Sequence, residues 1–514
     1  MVGRFVRGMR DKHSRRYFFA YLGGKMLGMA LLLACLYVLK SYLHTPAGAQ
    51  ETATGGGAGE RVTSLVNATN TMWTLLAAFL VFFMQAGFMM LEAGFARTRE
   101  VVNILMECIV DTALCGLLFY AFGFAFMFGT GNSIIGHEFF FLNGAPATYG
   151  TTGVAFMAFF LFQFAFADTA STITSGAMVG RTGFVGDLLY SFAVSGFIYP
   201  ILGHWVWGPN GWLSTMDTPF RDFAGSTVVH TVGGGLALCG ALALGPRLGR
   251  RFQRDGGGMP PGHDLTIAAI GGVVLWFGWY GFNPGSTLSA LDAIGIGRVA
   301  TNTTLAACGG ALAAMCFVYP RLRKWDIGIT INGFLGGLVA VTAPCYWINP
   351  LGAILIGSIA GVLVVVVVDL LEHLRIDDPI GAVPVHFACG IWGTLSVGLF
   401  ATGQFGIPGP EGADTTAVVK GLFWGGGVDQ LRAQLTGSLT ITAVVLAVGL
   451  VLMYGVKATR TLRISEEGEI EGIDRHEHGS PAYHPEAGFL GGIPSGAPLT
   501  SGAGSGAGRI QVRA

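Results

Sequence analysis

The sequence predicts an all-α membrane protein with eleven transmembrane helices, built as a five-plus-five inverted repeat plus one additional helix. Low charge, recurring apolar runs and one motif that occurs twice lead to this prediction. Of the 514 residues, 52% are hydrophobic and 12% are charged, whereas soluble domains carry about 25% charged residues. The formal net charge is zero, so the chain lacks the basic surface of a nucleic-acid-binding protein. We therefore expect a lipid bilayer around the chain and no nucleic-acid partner.

Eleven apolar runs follow a polar linker at 50–68. Runs of about 20 residues are long enough to cross roughly 30 Å of hydrocarbon, and they must be helical because backbone groups cannot stay unpaired in lipid. The 81 Gly residues suit helices that pack closely inside a membrane. The predicted spans are 70–93, 102–128, 152–176, 184–206, 225–245, 265–283, 298–319, 327–347, 350–370, 380–400 and 433–456.

The two ends of the chain differ from the apolar region. Residues 1–49 begin with several Arg residues, continue with an apolar stretch and end near the sequence AGAQ. This pattern is typical of a signal peptide, and an uncleaved N-terminal anchor helix is the alternative. Residues 457–484 form a polar tail, and residues 485–514 are rich in Gly and Ser and are expected to be disordered.

Basic residues in the loops predict the orientation, because cytoplasmic loops carry an excess of Lys and Arg. One set of loops has Arg221, Arg298, Lys420 and Arg432. The other set is far more basic, so we expect it to face the cytoplasm, with the mature N-terminus outside and the C-terminus inside. Its basic residues are Arg97, Arg99, Arg181, Arg247, Arg250, Arg251, Arg254, Arg321, Arg323, Lys324, Arg375, Lys457, Arg460 and Arg463.

A repeated motif places one His in span five and one in span ten. In DFAGSTVVH, Asp222 precedes His230 by eight residues, and in DDPIGAVPVH, Asp378 precedes His386 by the same distance. Five spans is an odd number, so the second set of five runs through the bilayer in the opposite sense. Transporters built from inverted repeats hold their substrate sites at the repeat interface near mid-depth, where we expect the two His residues to meet.

Ionisable groups inside a bilayer are costly and usually functional. Two facing neutral imidazoles can share a proton and offer polar contacts to a small molecule that both donates and accepts hydrogen bonds. The alternative is a core His bonded to a helix carbonyl. We expect Asp222 and Asp378 to cap the starts of their helices, with Asp222 also acting on a nearby cation.

Several other groups are interpreted as structural. The Cys residues lack metal-type spacing and are expected to pack in the apolar segments. We expect Glu107 and Asp111, which share a helical face, to form interhelical hydrogen bonds, and we identify no partner for Asp168. The sequence predicts no metal site, no cofactor and no enzyme, since the spans contain no metal cluster or nucleophile–base set.

Five segments in order resemble the Amt/Mep/Rh ammonium transporters, and specifically the Amt branch. They are HWVWG (204–208), DFAGSTVVH (222–230), GWYGFNPGS (278–286), RIDDPIGAVPVHFACGIWG (375–393) and LRISEEGEIEGIDRHEHGSPAYH (462–484). The resemblance implies a transporter domain at 69–456 with a cytoplasmic regulatory tail at 457–484. It also implies a homotrimer in the cell membrane, ammonium or ammonia as the substrate, and a PII-type regulatory protein as a partner at the cytoplasmic face.

The resemblance also assigns an outer vestibule and a gate. Trp207 and Ser286 match the residues that recruit ammonium, and Phe166 and Phe282 match two stacked rings that close the pore. A Trp face attracts a cation by about 0.5–2 kcal/mol, and Ser286 can accept an N–H hydrogen bond. Without the resemblance, ordinary core or lipid-facing packing would explain the two Phe residues and Trp207.

Below the gate, His230 and His386 match the twin His of the pore. Asp222 matches the family's Asp, and Trp279 is a supporting residue in the motif GWYGFNPGS. The expected function is ammonium transport, in which NH4+ loses its proton and NH3 passes the imidazoles with or without the proton. The alternative is an ammonium sensor of the same fold, and a cation channel is less consistent because no charged ring or carbonyl-filter sequence occurs.

Two features depart from the family pattern. Gly180 precedes Arg181 where many relatives carry Glu, so we expect an ion pair to be missing there. Arg221 stands beside Asp222 and, by pairing with it, would weaken its attraction for a cation.

Overall fold

The structure is a computed structural model that describes residues 58–415 and 417–483. The predicted leader or anchor at 1–49, residues 50–57 of the predicted linker and the segment 485–514 lie outside these residues. Within the described ranges, eleven apolar helices form the bundle. They are α1 (Ala58–Phe95), α2 (Val101–Phe128), α3 (Phe156–Met178), α4 (Phe184–Trp207), α5 (Ser226–Leu244), α6 (Leu265–Thr287), α7 (Ala293–Leu322), α8 (Ile327–Thr342), α9 (Pro350–Leu374), α10 (Val383–Phe400) and α11 (Asp429–Ala458).

Ten of these helices are long and apolar enough to cross a membrane, and α8 is shorter at 16 residues. The predicted span at 327–347 therefore overshoots, because Pro344 follows Thr342 closely and has no N–H to continue a helix. The prediction also starts the first span too late. Helix α1 begins at Ala58, inside the segment interpreted as a linker, and its first turns are exposed.

Four short π-helical segments interrupt the bundle helices. Two of them, Phe119–Gly123 and Val194–Ile198, lie inside α2 and α4. The other two, Ser226–Thr231 and Val383–Ala388, open α5 and α10, and each carries one His of the repeated motif. The two halves of the chain thus repeat the same local construction: an Asp, a Gly at positive φ, a π-helical turn and a His.

Helices α5 and α10 cross at very short range. A Cβ atom on Gly390 would lie 2.5 Å from the carbonyl oxygen of Ser226, and one on Gly234 would lie 2.4 Å from the backbone nitrogen of Phe387. Only glycine fits at either position. This close approach brings the π-helical turns of the two helices together and sets the separation of their His residues.

The bundle has two ends that carry different structure. At the end near Trp207, which we name the vestibule end, short hairpins pair Thr148–Tyr149 (β1) with Val154–Ala155 (β2) and Ile407–Gly409 (β3) with Gly412–Asp414 (β4). At the opposite end, which we name the tail end, two short helices follow α11, namely α12 (Glu466–Glu471) and α13 (Ile473–His478).

The tail is bound to the ends of the bundle helices. Asp474 accepts a hydrogen bond of 2.9 Å from the backbone N–H of Asn103 and so caps the start of α2. The backbone of Ile464 donates to the carbonyl of Arg181, and the ring of His478 hydrogen-bonds to the Asn103 side chain. Residues 459–483 therefore belong to the folded unit at this end.

The Cys residues that the structure describes are all free, and five of the seven are buried. Cys35 lies outside the described residues. The interpretation of the other Cys residues as packing groups without disulfide bonds agrees with this arrangement.

Candidate functional site

A cavity of about 660 Å³ opens at the vestibule end. Trp207, at the end of α4, and Ser286, in the last turn of α6, both line it. The indole N–H of Trp207 donates to the carbonyl of Asp222 at 2.8 Å, and the Ser286 hydroxyl donates to the carbonyl of Phe282 at 2.8 Å. The indole face and the Ser286 oxygen lone pairs are thereby left for a ligand. The two residues predicted to recruit the substrate therefore share one cavity.

Two stacked aromatic rings close the floor of this cavity. The rings of Phe166 and Phe282 lie 4.0 Å apart between centroids at an interplanar angle of 22°, and both side chains are almost fully buried. Trp207 contacts the edge of Phe166 at 6.1 Å. In this conformation no open path leads between the rings, so the predicted gate residues form a closed barrier.

The twin His residues lie directly beneath the Phe pair. The ring centroid of His230 lies 5.5 Å from that of Phe282 and 5.3 Å from that of Trp279, and both pairs are stacked. The His386 ring stacks on His230 as well, at 5.2 Å. The indole N–H of Trp279 donates to the Thr342 hydroxyl at 2.9 Å, which fixes that ring. The structure thus brings together all the residues predicted for the gate and the pore.

The two imidazoles hydrogen-bond to each other. Their Nδ1 atoms are 3.2 Å apart, so one Nδ1 must carry a proton and the other must accept it. The Nε2 atom of His230 is buried and has no hydrogen-bond partner among the described residues. The predicted alternative, a core His bonded to a helix carbonyl, is not what His230 adopts, and its Nε2 is free to bind a small molecule.

Asp222 caps the helix that carries His230. Its carboxylate accepts four backbone N–H bonds, from Gly225 to Val228, at 2.8–3.0 Å. Burial raises the pKa of Asp222 to about 6, and the backbone N–H groups oppose that rise. The backbone N–H groups at this helix start stabilise a negative charge on the carboxylate.

Asp378 caps the start of the helix that carries His386. It accepts three backbone N–H bonds, from Gly381 to Val383, at 2.8–3.1 Å. Gly225 and Gly381 have φ values of +112° and +83°, a backbone region that glycine adopts without strain. Both Asp residues therefore cap their helices as predicted, and the glycines at matching offsets make that turn.

One expectation about a charge pair is wrong. No ion pair joins Arg221 to Asp222 in the described residues; instead the Arg221 backbone N–H donates to Gln434. The side chain of Glu100 occupies the space beside Gly180, where a Cβ atom would lie 2.2 Å from a Glu100 oxygen. That carboxylate pairs with Arg97, whereas the Arg181 guanidinium donates to the backbone carbonyls of Val179, Gly245 and Asp377.

Five buried carboxyl groups lie in α1 to α4: Glu92, Glu107, Asp111, Asp168 and Asp187. Glu107 accepts a 2.8 Å hydrogen bond from Asn103, which lies in the same helix. This bond does not support the prediction that Glu107 forms interhelical hydrogen bonds. Asp168, for which the sequence offers no partner, accepts a 3.1 Å bond from Thr112 of α2. Glu92 was not predicted as a site residue, although a Glu in the apolar run GFMMLEAGF was the available signal.

Two cavities continue the site from His386 towards the tail end. A cavity of about 20 Å³ is bounded by His386, Glu92 and Asn332. A larger one of about 730 Å³ follows it, and Asn332, Ile380 and Gly381 line both. No group of three metal-ligating side chains occurs among the described residues.

Comparison with known proteins identifies relatives along most of the chain. Residues 72–483 match the model of the Ammonium Transporter Family. Ammonium transporter Amt2 of Archaeoglobus fulgidus is 42% identical over 422 residues, which cover 80% of this chain and 87% of the relative. Ammonium transporter 1 member 3 of Solanum lycopersicum is 38% identical over 441 residues, covering 82% and 94% of the two chains.

Solved structures share the fold. A protein named Sensor Amt Protein is 34% identical with a TM-score of 0.72, and the match covers 80% of this chain and 99% of that one. Saccharomyces cerevisiae Mep2 is 27% identical with a TM-score of 0.71, and the match covers 82% and 94%.

Proposed function

The chain belongs to the Ammonium Transporter Family, and we propose that it moves ammonium across a membrane by removing the proton from NH4+ before the nitrogen passes the twin imidazoles. One observation carries this proposal: the unbroken column of Phe166, Phe282, His230 and His386 beneath the vestibule. A column of this kind excludes hydrated ions and offers polar contacts only below the gate.

Recruitment of the cation is assigned to the vestibule. The Trp207 face attracts NH4+ through the ring quadrupole, and the Ser286 oxygen accepts one of its N–H bonds. Asp222 is among the residues that line the same cavity, and a negative charge on it would favour a cation there. Together these groups raise the local concentration of NH4+ without removing all of its hydration.

Selectivity against potassium follows from the gate. Potassium and ammonium carry the same charge, so attraction in the vestibule does not separate them. Passing two stacked Phe rings strips water from an ion, and a bare charge in an apolar lumen is very unfavourable. Ammonium limits this cost by giving its proton to Nε2 of His230, directly beneath the Phe282 ring, whereas potassium has no proton to lose.

The imidazole pair then receives the neutral molecule. The free Nε2 of His230 accepts an N–H hydrogen bond from ammonia or takes up the proton itself. The stacking of Trp279 on His230 keeps the ring in the plane required for the Nδ1 contact with His386. Trp279 is therefore a positioning residue for the pore.

The recruitment step predicts the effect of Trp207→Leu. Loss of a cation–π contact of about 0.5–2 kcal/mol should raise the apparent KM for ammonium about 2- to 30-fold, with a much smaller change in saturated flux. Labelled methylammonium uptake into proteoliposomes, competed with increasing ammonium, measures both quantities.

Trp424→Leu is the matched control. Trp424 is 41% exposed in the segment between α10 and α11, outside the vestibule lining, so its loss should leave the apparent KM unchanged. Equal apparent KM values in the Trp207 variant and the wild-type protein would remove Trp207 from the recruitment site.

Orientation and partners form a second part of the proposal. The excess of basic residues in the loops at the tail end supports a cytoplasmic location for that end, and family membership favours a homotrimer in the cell membrane. The docked helices α12 and α13 support this end as the binding surface for a PII-type regulator. Retention of a purified PII-type protein by the detergent-solubilised transporter tests this, and its failure to bind at any nucleotide state would contradict it.

A sensor role is the second candidate function, because one of the matching structures is named Sensor Amt Protein. A sensor would bind ammonium in the vestibule yet conduct very little. Saturable ammonium uptake by the purified protein in liposomes supports the transporter, whereas binding without measurable uptake supports the sensor.

A further inference from the structure

The small cavity below His386 is sized for one molecule. Its volume of about 20 Å³ exceeds the roughly 10–15 Å³ that one water needs, and ammonia is similar in size. Most of its wall is apolar or glycine, and the polar side chains among its lining residues are His386, Glu92 and Asn332. The Asn332 amide already donates to the carbonyl of Ile380 at 3.1 Å.

Glu92 presents an unused acceptor at this cavity. Its side chain is 2% exposed, and its Oε2 atom has no hydrogen-bond partner among the described residues. A buried carboxyl group that only stabilises the fold normally has its oxygens paired. Asp111, Asp168 and Asp187 also carry unpaired oxygens, but Glu92 is the carboxyl group among the residues that line this cavity, and ionisable groups inside a membrane bundle usually mark a pathway.

The position of Glu92 is on the route that the proposed function requires. The cavity lies between His386 and the larger tail-end cavity, with which it shares Asn332, Ile380 and Gly381. A nitrogen leaving the imidazole pair therefore passes Glu92 before it reaches open space at the tail end.

Other buried carboxyl groups of the bundle interact with Glu92 but do not line the cavity. Asp187 acts on it electrostatically, and Glu92 in turn acts on Glu107 and Asp111. Like charges this close in a low-dielectric interior cannot all ionise together. The arrangement therefore favours a proton resident on one of these groups.

We propose that Glu92 is a third pore residue, which takes the proton from the imidazole pair and returns it to ammonia in the cavity below His386. This inference rests on the proposed function. Glu92 contacts the substrate nitrogen directly and would decide whether the chain delivers NH4+ or NH3.

The proton balance runs through named atoms. NH4+ gives its proton to Nε2 of His230 and becomes NH3; the Nδ1 proton of His230 passes to Nδ1 of His386, and the Nε2 proton of His386 passes to Glu92 through the molecule in the cavity. The resulting carboxylic acid protonates the next ammonia to reach the cavity, which leaves as NH4+ with Glu92 ionised again. One charge then moves per nitrogen. The rings regain their first tautomers when the passing NH3 takes the Nε2 proton of His230 and gives a proton to Nε2 of His386, while the shared proton returns from Nδ1 of His386 to Nδ1 of His230.

The test compares charge with nitrogen flux. Glu92→Gln keeps the size and an acceptor oxygen but cannot take a proton. In proteoliposomes with a methylammonium gradient, we expect the ratio of current to labelled uptake to fall at least about a hundredfold, the lower end of what a positioned proton-transfer group contributes, while uptake persists.

Glu107→Gln is the matched control, because Glu107 belongs to the same buried set but does not line the cavity. The ratio of current to labelled uptake in the Glu107 variant should equal that of the wild-type protein. If Glu92→Gln fails to match the wild-type elution volume and unfolding temperature, Glu92→Met, which needs no hydrogen bond, takes its place with the same expected ratio.

The outcomes separate the two proposals. An unchanged ratio in the Glu92 variant, an equal fall in the Glu107 variant, or wild-type uptake without current overturns the role of Glu92 and leaves the transporter proposal standing. Absence of uptake by the wild-type protein overturns the proposed function itself.

Discussion

Replacing His230 and His386 together by alanine is expected to abolish selective ammonium uptake. The change removes two stacked rings and the hydrogen bond between them, so the lumen below the gate loses its polar contacts and gains space for water. Hydrated potassium can then pass where only a deprotonated nitrogen passed before. We expect ammonium-over-potassium selectivity to fall at least about tenfold, which corresponds to about 1.4 kcal/mol.

Parallel uptake and current measurements under ammonium and potassium gradients check this prediction. His373→Ala is the control, since that side chain is exposed at the end of α9 and should leave selectivity intact. Elution volume shows whether the assembly is preserved. A double variant that assembles normally and discriminates as well as the wild-type protein would contradict the role of the imidazoles.

Asp222→Ala is expected to reduce transport to background and to destabilise the protein. Four backbone N–H groups lose their acceptor at the start of α5, and Trp207 is bonded to the carbonyl of the same residue. Since hydrogen bonds to a charged group contribute about 1.5–3 kcal/mol each and are not additive, we expect a total loss of about 2–4 kcal/mol.

Thermal unfolding in detergent and ammonium uptake measure the two effects. Asp222→Asn retains one acceptor oxygen and should fall between the wild-type protein and the alanine variant. Asp217→Ala removes an exposed carboxylate from the same loop and serves as the control. If Asp222→Ala unfolds at the wild-type temperature and transports normally, the cap is not needed to hold His230.

Much of the fold could be predicted because the signals are local. Each predicted span overlaps one of the eleven apolar helices, since length and hydropathy alone decide what can cross a bilayer. The equal Asp-to-His spacing predicted the meeting of His230 and His386, because an odd number of spans inverts the second half. The family resemblance, not the pattern, selected Phe166 and Phe282 from the many Phe residues.

Other features depend on contacts that the sequence does not display. The π-helical turns at Ser226–Thr231 and Val383–Ala388 follow from the Asp caps and the close crossing of α5 and α10. Glu100 reaches Gly180 from another helix, and the unpaired oxygen of Glu92 becomes visible only with its cavity. The adjacency of Arg221 and Asp222 in the sequence also led to a wrong prediction. The two residues do not pair with each other but bind different partners.

The stacked Phe166 and Phe282 rings also affect how many protons leak across a membrane that holds many copies of this protein. An unbroken file of water conducts protons, and rings 4.0 Å apart leave no width for such a file. A closed gate of this kind would not short-circuit a proton gradient while no nitrogen is crossing. Under the proposed relay one charge would cross with each nitrogen, so the membrane voltage would fall only as nitrogen is taken up.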